Sequence, residues 1–546
     1  LIGGLAGDAL TDADFNVAVG KNALSTDTLG SFNTALGINA LEVQNFTTAT
    51  NSYNTAVGAL AGGAVTTGTI NTYIGGKAGS ASNTADSNVA VGYDSLALNT
   101  KGNKNVAVGE SALYTFNSTT DTDTFNTAVG FHAGVSVTTG ISNTIIGGRA
   151  ADALTDADFN VAVGMDALTA DTKGSKSTAL GLGTLSSQNF TTSTDTLNTA
   201  VGFQAGLSVT TGNNNTFLGA NAGDAFTDAD RNTAVGRAAL TSDTLGSRSV
   251  AVGYGVLQNQ NLTTATNVYN VAVGYDAGAS VTTGVENTFV GALAGDGTDD
   301  GRENTAVGSK ALSANCGNNN TAVGRFALNV TTGGSNTAVG HQAGIYVSSG
   351  VENTFVGKNA GETCTTGNYN TALGKGADVG TGAASGRIAI GIGVNCTAND
   401  TISVGSNTNK ASLTLDGSDT SWAASSDERL KENIAASTAG LSFINDLRPV
   451  TYNWKKAKDV PSDLPQYVEG SDDPCLGHEY GTQLHGFIAQ EVKTVIDNHA
   501  EVKDGQAVWK TDETTVQALA PAALIPMLVK AIQELSAEIE TLKSGG

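Results

Sequence analysis

Several things are scarce in these 546 residues. Only 14% of the side chains are charged, only 6 residues are Pro, 3 are Trp and 4 are Cys. Sparse charge together with 40% apolar residues argues against a disordered chain. Glycine is abundant, at 69 residues, but it keeps no every-third rhythm, which excludes a collagen helix. No run of 18 apolar residues occurs, so no membrane-spanning helix is expected. Cys316, Cys364, Cys396 and Cys475 are too few and too irregularly spaced for a disulfide framework or a zinc site, and they read as free, buried thiols. Basic side chains are also few. The net charge is −23, distributed as −15 over residues 1–425 and −8 over the rest. A chain acidic throughout repels phosphate backbones, which excludes nucleic acid as a partner.

The scarce residues are not spread evenly. Every Pro lies beyond residue 448 and every Trp beyond 421, whereas 61 of the 69 Gly precede residue 426. Two folds therefore meet near residues 406–425. The first part repeats the pattern Asn-(Thr/Val)-Ala-(Val/Leu/Ile)-Gly-x-x-Ala-(Leu/Gly), with 24 strand-end glycines from Gly3 to Gly405. Their spacing runs 17, 17, 21, 17, so Gly20, Gly92, Gly164, Gly236 and Gly308 each lie 72 residues apart. The first four residues, Leu1-Ile2-Gly3-Gly4, read as the middle of a repeat unit, as expected for a fragment or processed product.

A five-residue β-branched stretch such as Asn16-Val17-Ala18-Val19-Gly20 suits a short strand. Val17 and Val19 share one face and Ala18 takes the other; both faces are apolar or small, so both are expected to be buried. One face fills the coil and the other needs a partner, for which a sister chain is the natural candidate. A 17-residue unit has room for two short strands and two turns, a narrow β-roll. The recurring Asn is expected to form an amide ladder or hold an Asx turn. At ~4.8 Å per coil, about 24 coils make a rod on the order of 110 Å.

The 21-residue units add a loop in a fixed place, around residues 44–51, 114–125, 188–197 and 258–269. These read as bulges or as exposed contact loops for a glycan or protein receptor. The recurring acids, Asp8/Asp12/Asp14 and their counterparts at 152/156/158 and 224/228/230, lack the companions of a calcium loop and read as solvated turns. No metal or cofactor is expected. The Asn-Thr-Ala-Val-Gly-x-x-Ala repeat resembles the head repeats of trimeric autotransporter adhesins and the repeats of phage and bacterial surface fibres. That resemblance implies left-handed parallel β-rolls packed as three chains.

Beyond Trp422 the pattern changes. Ser426–Ile434 reads as a helix start with Ser426 as its cap, Arg448-Pro449-Val450-Thr451-Tyr452-Asn453-Trp454 as a turn and strand, and Gly486–Val492 as a turn into a helix. From 524 to 543 a long amphipathic helix carries Leu528, Ile532, Leu535, Ile539 and Leu542 at alternating spacings of four and three, a self-associating seam. His478, His485 and His499 have no metal-ligand spacing and read as structural or exposed.

As a set, these motifs resemble the endosialidase-type C-terminal intramolecular chaperones of phage tailspikes and fibres. The resemblance implies a module that trimerises the β-structured part before it and then releases itself through a Ser–Lys dyad. Carried over, Ser426 is the nucleophile, Lys431 the base, and Ser425–Ser426 the scissile bond. A spacing of five places Ser426 and Lys431 about 140° apart on an ideal helix, so one straight helix does not join them.

The expected architecture is mainly β: a homotrimeric parallel β-roll over 1–405, a linker with the cleavage junction over 406–425, and an α+β chaperone over 426–546 ending in a coiled-coil helix. The expected function is a virion tail fibre or spike that binds a host surface. The alternatives are a bacterial surface or secreted adhesin and a glycan-degrading tailspike. The last is disfavoured because no Trp precedes 422 and the acids lie in repeated turns. No activity on an external substrate is expected.

Overall fold

The computed structural model describes residues 1–415, 423–424, 428, 431–464, 466–476, 481–504, 507–511 and 517–545. The chain forms two compact units, Leu1–Ser425 and Ser426–Gly546.

The first unit is a parallel β-solenoid of about 23 turns. Each turn contributes one short strand to a single continuous ladder, beginning with Val17–Val19, Thr34–Leu36 and Thr55–Val57 and running on to Thr401–Gly405. Register is maintained turn to turn: Val17 pairs with Thr34, Ala18 with Ala35 and Val19 with Leu36, and the same pattern recurs up the stack. The next strand, Lys410–Thr414, turns back antiparallel on Thr401–Gly405, and Ala423–Ala424 pairs antiparallel with it in turn.

Only one face of each strand is buried. The central residue, usually Ala, points inward and is fully buried; Tyr73, Ile145, Phe217, Phe289 and Phe355 take its place where the coil has room. The flanking residues point outward, so Val17 is 49% and Leu218 48% exposed. The inner face fills the coil as expected, and the outer face, for which the sequence called for a sister chain, is exposed in the single chain.

The expectation of two strands per unit fails in the 17-residue turns. The segment after the glycine is a tight turn rather than a strand, with left-handed residues at alternate positions, Asn22 at φ 56° and Leu24 at φ 53°. That curl brings Ala23 and Leu24 back into the core. A second strand pair forms only at the 21-residue turns, as in Gly30–Ser31 beside Thr50–Asn51.

The strand-end glycines hold φ between 124° and 142°. A Cβ on Gly20 would lie 2.4 Å from the carbonyl oxygen of Gly37 in the next turn, so no other residue fits both the conformation and the spacing. The Asn ladder differs from a pure amide stack. Asn54 Oδ1 accepts the backbone N–H of Asn71 (2.9 Å), while Asn54 Nδ2 donates across the coil to the Gly68 carbonyl (2.7 Å). The Asn54 side chain thus satisfies one backbone donor and one backbone acceptor inside the core, where an unpaired group is costly, and further up the stack Asn353 and Asn370 also donate to the Asn side chain of the turn before (3.0 and 2.9 Å).

Cys316, Cys364 and Cys396 are buried and free; Cys475 is free but only half-buried, contrary to expectation. Burial pushes the Cys364 thiol up to about 11.

The second unit is α+β. Helix α1 (Leu441–Asp446) leads into strand Val450–Tyr452, which pairs antiparallel with Leu484–Gly486. Helices α2 (Ala489–Asn498) and α3 (Ala500–Lys503) follow, then the hairpin Trp509–Thr511 with Gln517–Leu519. A 3₁₀ turn, Pro521–Leu524, runs into α4 (Ile525–Ser544), making a closing helix of 24 residues. Phe443, Leu447, Val492, Ile496, Val502, Val508 and Leu524 form its core. No described helix is long and apolar enough to cross a membrane.

Candidate functional site in the C-terminal unit

The residues singled out for self-cleavage divide. Ser425 and Ser426 lie outside the described residues. Lys431 is exposed, and its backbone N–H donates to the Glu428 carbonyl (3.0 Å). The segment 431–440 is not helical, which corrects the expected helix start where it can be followed; the first described α-helix is α1. Ile434 is 65% exposed, so no buried apolar face offsets the cost of ordering a helix there. Lys431 therefore sits on irregular backbone, where the 140° separation of a straight helix does not apply.

The two motifs downstream meet directly. Val450 pairs with Gly486 and Tyr452 with Leu484, which brings Arg448 beside Glu491. The guanidinium clasps the carboxylate with both ends: Nε to Oε2 at 2.9 Å and Nη2 to Oε1. Each partner stabilises the other's charged form, so Arg448 is shifted up and Glu491 down from their ordinary values. Tyr452, at the end of the Val450–Tyr452 strand, and Trp454, two residues beyond it, stack edge to face at 5.3 Å.

Two further anchors had no signature in the sequence. Glu534 on α4 accepts the Leu441 N–H at the start of α1 (2.7 Å), and that bond holds its carboxyl below the usual range. His499 joins three elements: Nε2 contacts Asp446 and Nδ1 contacts Glu501, each at 2.8 Å, with the ring edge-on to Phe443. The two carboxylates raise its pKa. His485 is exposed, and His478 lies outside the described residues.

The seam expected on the last helix is present and uncovered in the single chain. Ile532 is 66% and Leu542 78% exposed, and Leu528, Leu535 and Ile539 are exposed with them. Among the described residues, no group of three His, Cys, Asp or Glu is arranged to hold a metal. The acidic turns instead use their carboxylates on backbone: Asp158 accepts the Ile141 N–H (2.8 Å) and Asp230 that of Asn213 (2.9 Å).

No curated protein and no solved structure matches the chain. Residues 426–501 match the profile of the family described as Peptidase S74, chaperone of endosialidase, whose members are autoproteolytic chaperones and imply trimeric assembly. The stretch runs from Ser426 through both paired motifs to α3. The C-terminal region is thus an endosialidase-chaperone domain that follows a long β-solenoid.

Proposed function

We propose that this chain is a trimeric fibre or spike protein that attaches to a host cell surface, and that its C-terminal domain drives assembly and then cuts itself off at Ser425–Ser426. The observation that carries the reading is the family match beginning at Ser426, together with the pairing of its Arg448 and Glu491 motifs.

In the proposed cleavage, Lys431 in its neutral form takes the Ser426 hydroxyl proton as Oγ attacks the Ser425 carbonyl carbon. The peptide C–N bond breaks and the proton passes to the departing Ser426 nitrogen, leaving an ester between Ser425 and the Ser426 Oγ. Water then hydrolyses the ester, giving a Ser425 carboxylate and a free Ser426 amine. The attacked carbonyl belongs to the preceding residue, so proximity is built in. Lys431 is exposed in the single chain, so the water-excluding surroundings of the proposed site would come from assembly. Cleavage then reports a completed trimer.

Assembly from the C-terminal end has a physical motive: 23 similar turns specify the register between chains poorly, and fixing the ends first removes that ambiguity. The exposed seam on α4 and the exposed Thr/Val and Val/Leu columns of the solenoid are the apolar surfaces such a trimer would cover. The loops that recur every 72 residues are the candidate receptor contacts, and a virion tail is the proposed location.

The test is intact-mass analysis of freshly expressed wild type beside Ser426→Ala and Lys431→Ala. A wild-type product ending at Ser425, with both variants intact, supports the dyad. Cleavage persisting in Ser426→Ala overturns it. Mixing the two variants separates cleavage within one chain from cleavage between chains, because only the latter restores product.

A further inference from the structure

Two columns of exposed residues border the outer face of the solenoid ladder. One lies just before the buried Asn of each turn, where the residue holds a left-handed φ near 60°, as at Phe32, Phe125 and Glu352. The other lies just after the strand-end glycine, six positions later, at Ile38, Phe131 and Lys358. In nearly extended chain, six residues span roughly 20 Å. The two borders of one turn therefore do not touch within a chain.

In eight of the 21 turns from Phe15 to Lys375 they are nevertheless matched in size or opposite in charge. Phe32 shares its turn with Ile38, Phe125 with Phe131, Phe159 with Met165, Leu197 with Phe203 and Tyr269 with Tyr275, and all ten are exposed. Small goes with small at Ser142 and Gly148. Charge goes with opposite charge in both senses: Lys104 with Glu110, and Glu352 with Lys358. Glu110, Glu352 and Lys358 are exposed and make no ion pair among the described residues. Twelve turns are mixed, such as Phe15 with Lys21 and Lys176 with Leu182. One carries like charges, Arg231 and Arg237, and there Arg237 reaches along its column to the Tyr254 hydroxyl (3.0 Å).

We infer that the two borders meet between copies: the pre-Asn column of one chain lies against the post-Gly column of the next, at the same height and running parallel. The inference rests on the trimer proposed above and adds which residues hold its register. Matching at equal height is what a closed ring of unstaggered copies requires. The dimensions suit three. An equilateral prism with a side of about 17–20 Å puts each face about 5–6 Å from the axis, half the ~10 Å spacing of packed sheets. A ring of four would leave a hollow centre. The exposed Val and Leu columns then face the axis, and the borders form the corners. A slip of one turn would set Lys358 against Ser335 or Tyr369, Glu110 against Ser87 or Phe125, and Phe131 against Lys104 or Ser142.

The test uses the full-length chain with Cys475→Ser, treated with the short cross-linker bismaleimidoethane. Glu352→Cys combined with Lys358→Cys should give covalent trimer on a denaturing gel. Ser335→Cys combined with Lys358→Cys, one turn out of step, should give at least tenfold less. Separately, Glu352→Lys should speed subunit exchange about tenfold, three equivalent contacts being reversed at once, and adding Lys358→Glu should restore the wild-type rate. If the protein sediments as a trimer but the two cysteine pairs react equally, or neither reacts, the border matching is wrong and the trimer reading stands. A wild-type monomer in sedimentation removes both.

Discussion

Four turns of the solenoid, 72 residues apart, contain a natural experiment in core design. At three of them an Asp is buried opposite a Gln from the next turn: Asp27 with Gln44, Asp171 with Gln188, Asp243 with Gln260. Asp27 accepts the N–H of Gly30 (3.1 Å), that of Phe46 (3.2 Å) and the Gln44 Nε2 (2.6 Å). Gln44 Oε1 in turn accepts from Asn54 Nδ2 (2.9 Å), which fixes the amide's orientation. At the fourth site the pair is Asn99 and Phe116; Asn99 bonds both the N–H and the carbonyl of Gly102 (2.9 and 2.7 Å), and Phe116 is fully buried.

The two solutions should not mix. Asp27→Asn alone sets an amide donor against the Gln44 donor and leaves one of them unpaired, at about 1–3 kcal/mol. Gln44→Phe alone strips the strongest donor from a buried carboxylate, at about 2–4 kcal/mol. The double variant imports the Asn99/Phe116 pair and should return to within about 1 kcal/mol of wild type, so the coupling is at least about 2 kcal/mol. Native-state hydrogen exchange of the Gly30 and Phe46 amides measures this locally, which matters because a long repeat array need not unfold in two states. Each single variant should speed exchange roughly five- to a thousandfold. A double variant as labile as the two singles added together would refute the reasoning.

Three other outcomes follow from the geometry. Gly236→Ala, at φ 126° with its new Cβ 2.1 Å from the Gly253 oxygen, should cost more than about 3 kcal/mol, whereas Gly148→Ala meets nothing within 4 Å and should change stability by less than about 0.5 kcal/mol; thermal melts compare the two. Burial raises the pKa of Asp171 and Asp243 above their unfolded values, so their contribution is full below the unfolded pKa and is lost as pH rises through the raised one. Exchange at the Phe190 and Leu262 amides, corrected for its intrinsic rate, should therefore be slower near about pH 4 than near about pH 7. His499 is also raised, by Asp446 and Glu501, so its support of the α1–α3 junction is full below the ordinary histidine value and is lost as pH climbs past the raised one. His499→Gln should abolish that alkaline loosening, read by near-ultraviolet dichroism of the second unit.

The solenoid was legible in sequence because its constraints are local and repeated. The glycine every 17 or 21 residues marks a backbone socket, and the Asn four residues earlier marks a buried amide. What the pattern did not disclose was sidedness. Val-Ala-Val reads equally well with either face inward, and only the tight left-handed turn at Asn22 and Leu24 makes the coil too thin for anything larger than Ala at most central positions. In the second unit the motifs were visible as words without their pairing. Arg448 and Glu491 are 43 residues apart and Leu441 and Glu534 are 93 apart, separations with no periodicity to betray contact. The irregular backbone at Lys431 was hidden for a further reason: the local residues favour a helix, but the chain offers Ile434 nothing to pack against.

The glycine socket also determines how such a molecule can change length. Each turn offers its predecessor the same carbonyl and receives the same one from its successor, so excision or duplication of one 72-residue block rejoins surfaces that already fit. Reach is then adjustable in steps of about 19 Å, four strand spacings at a time, without reworking the interior. In the proposed trimer every copy comes from one gene, so a block gained or lost would shift all of them together and leave the lateral partners level.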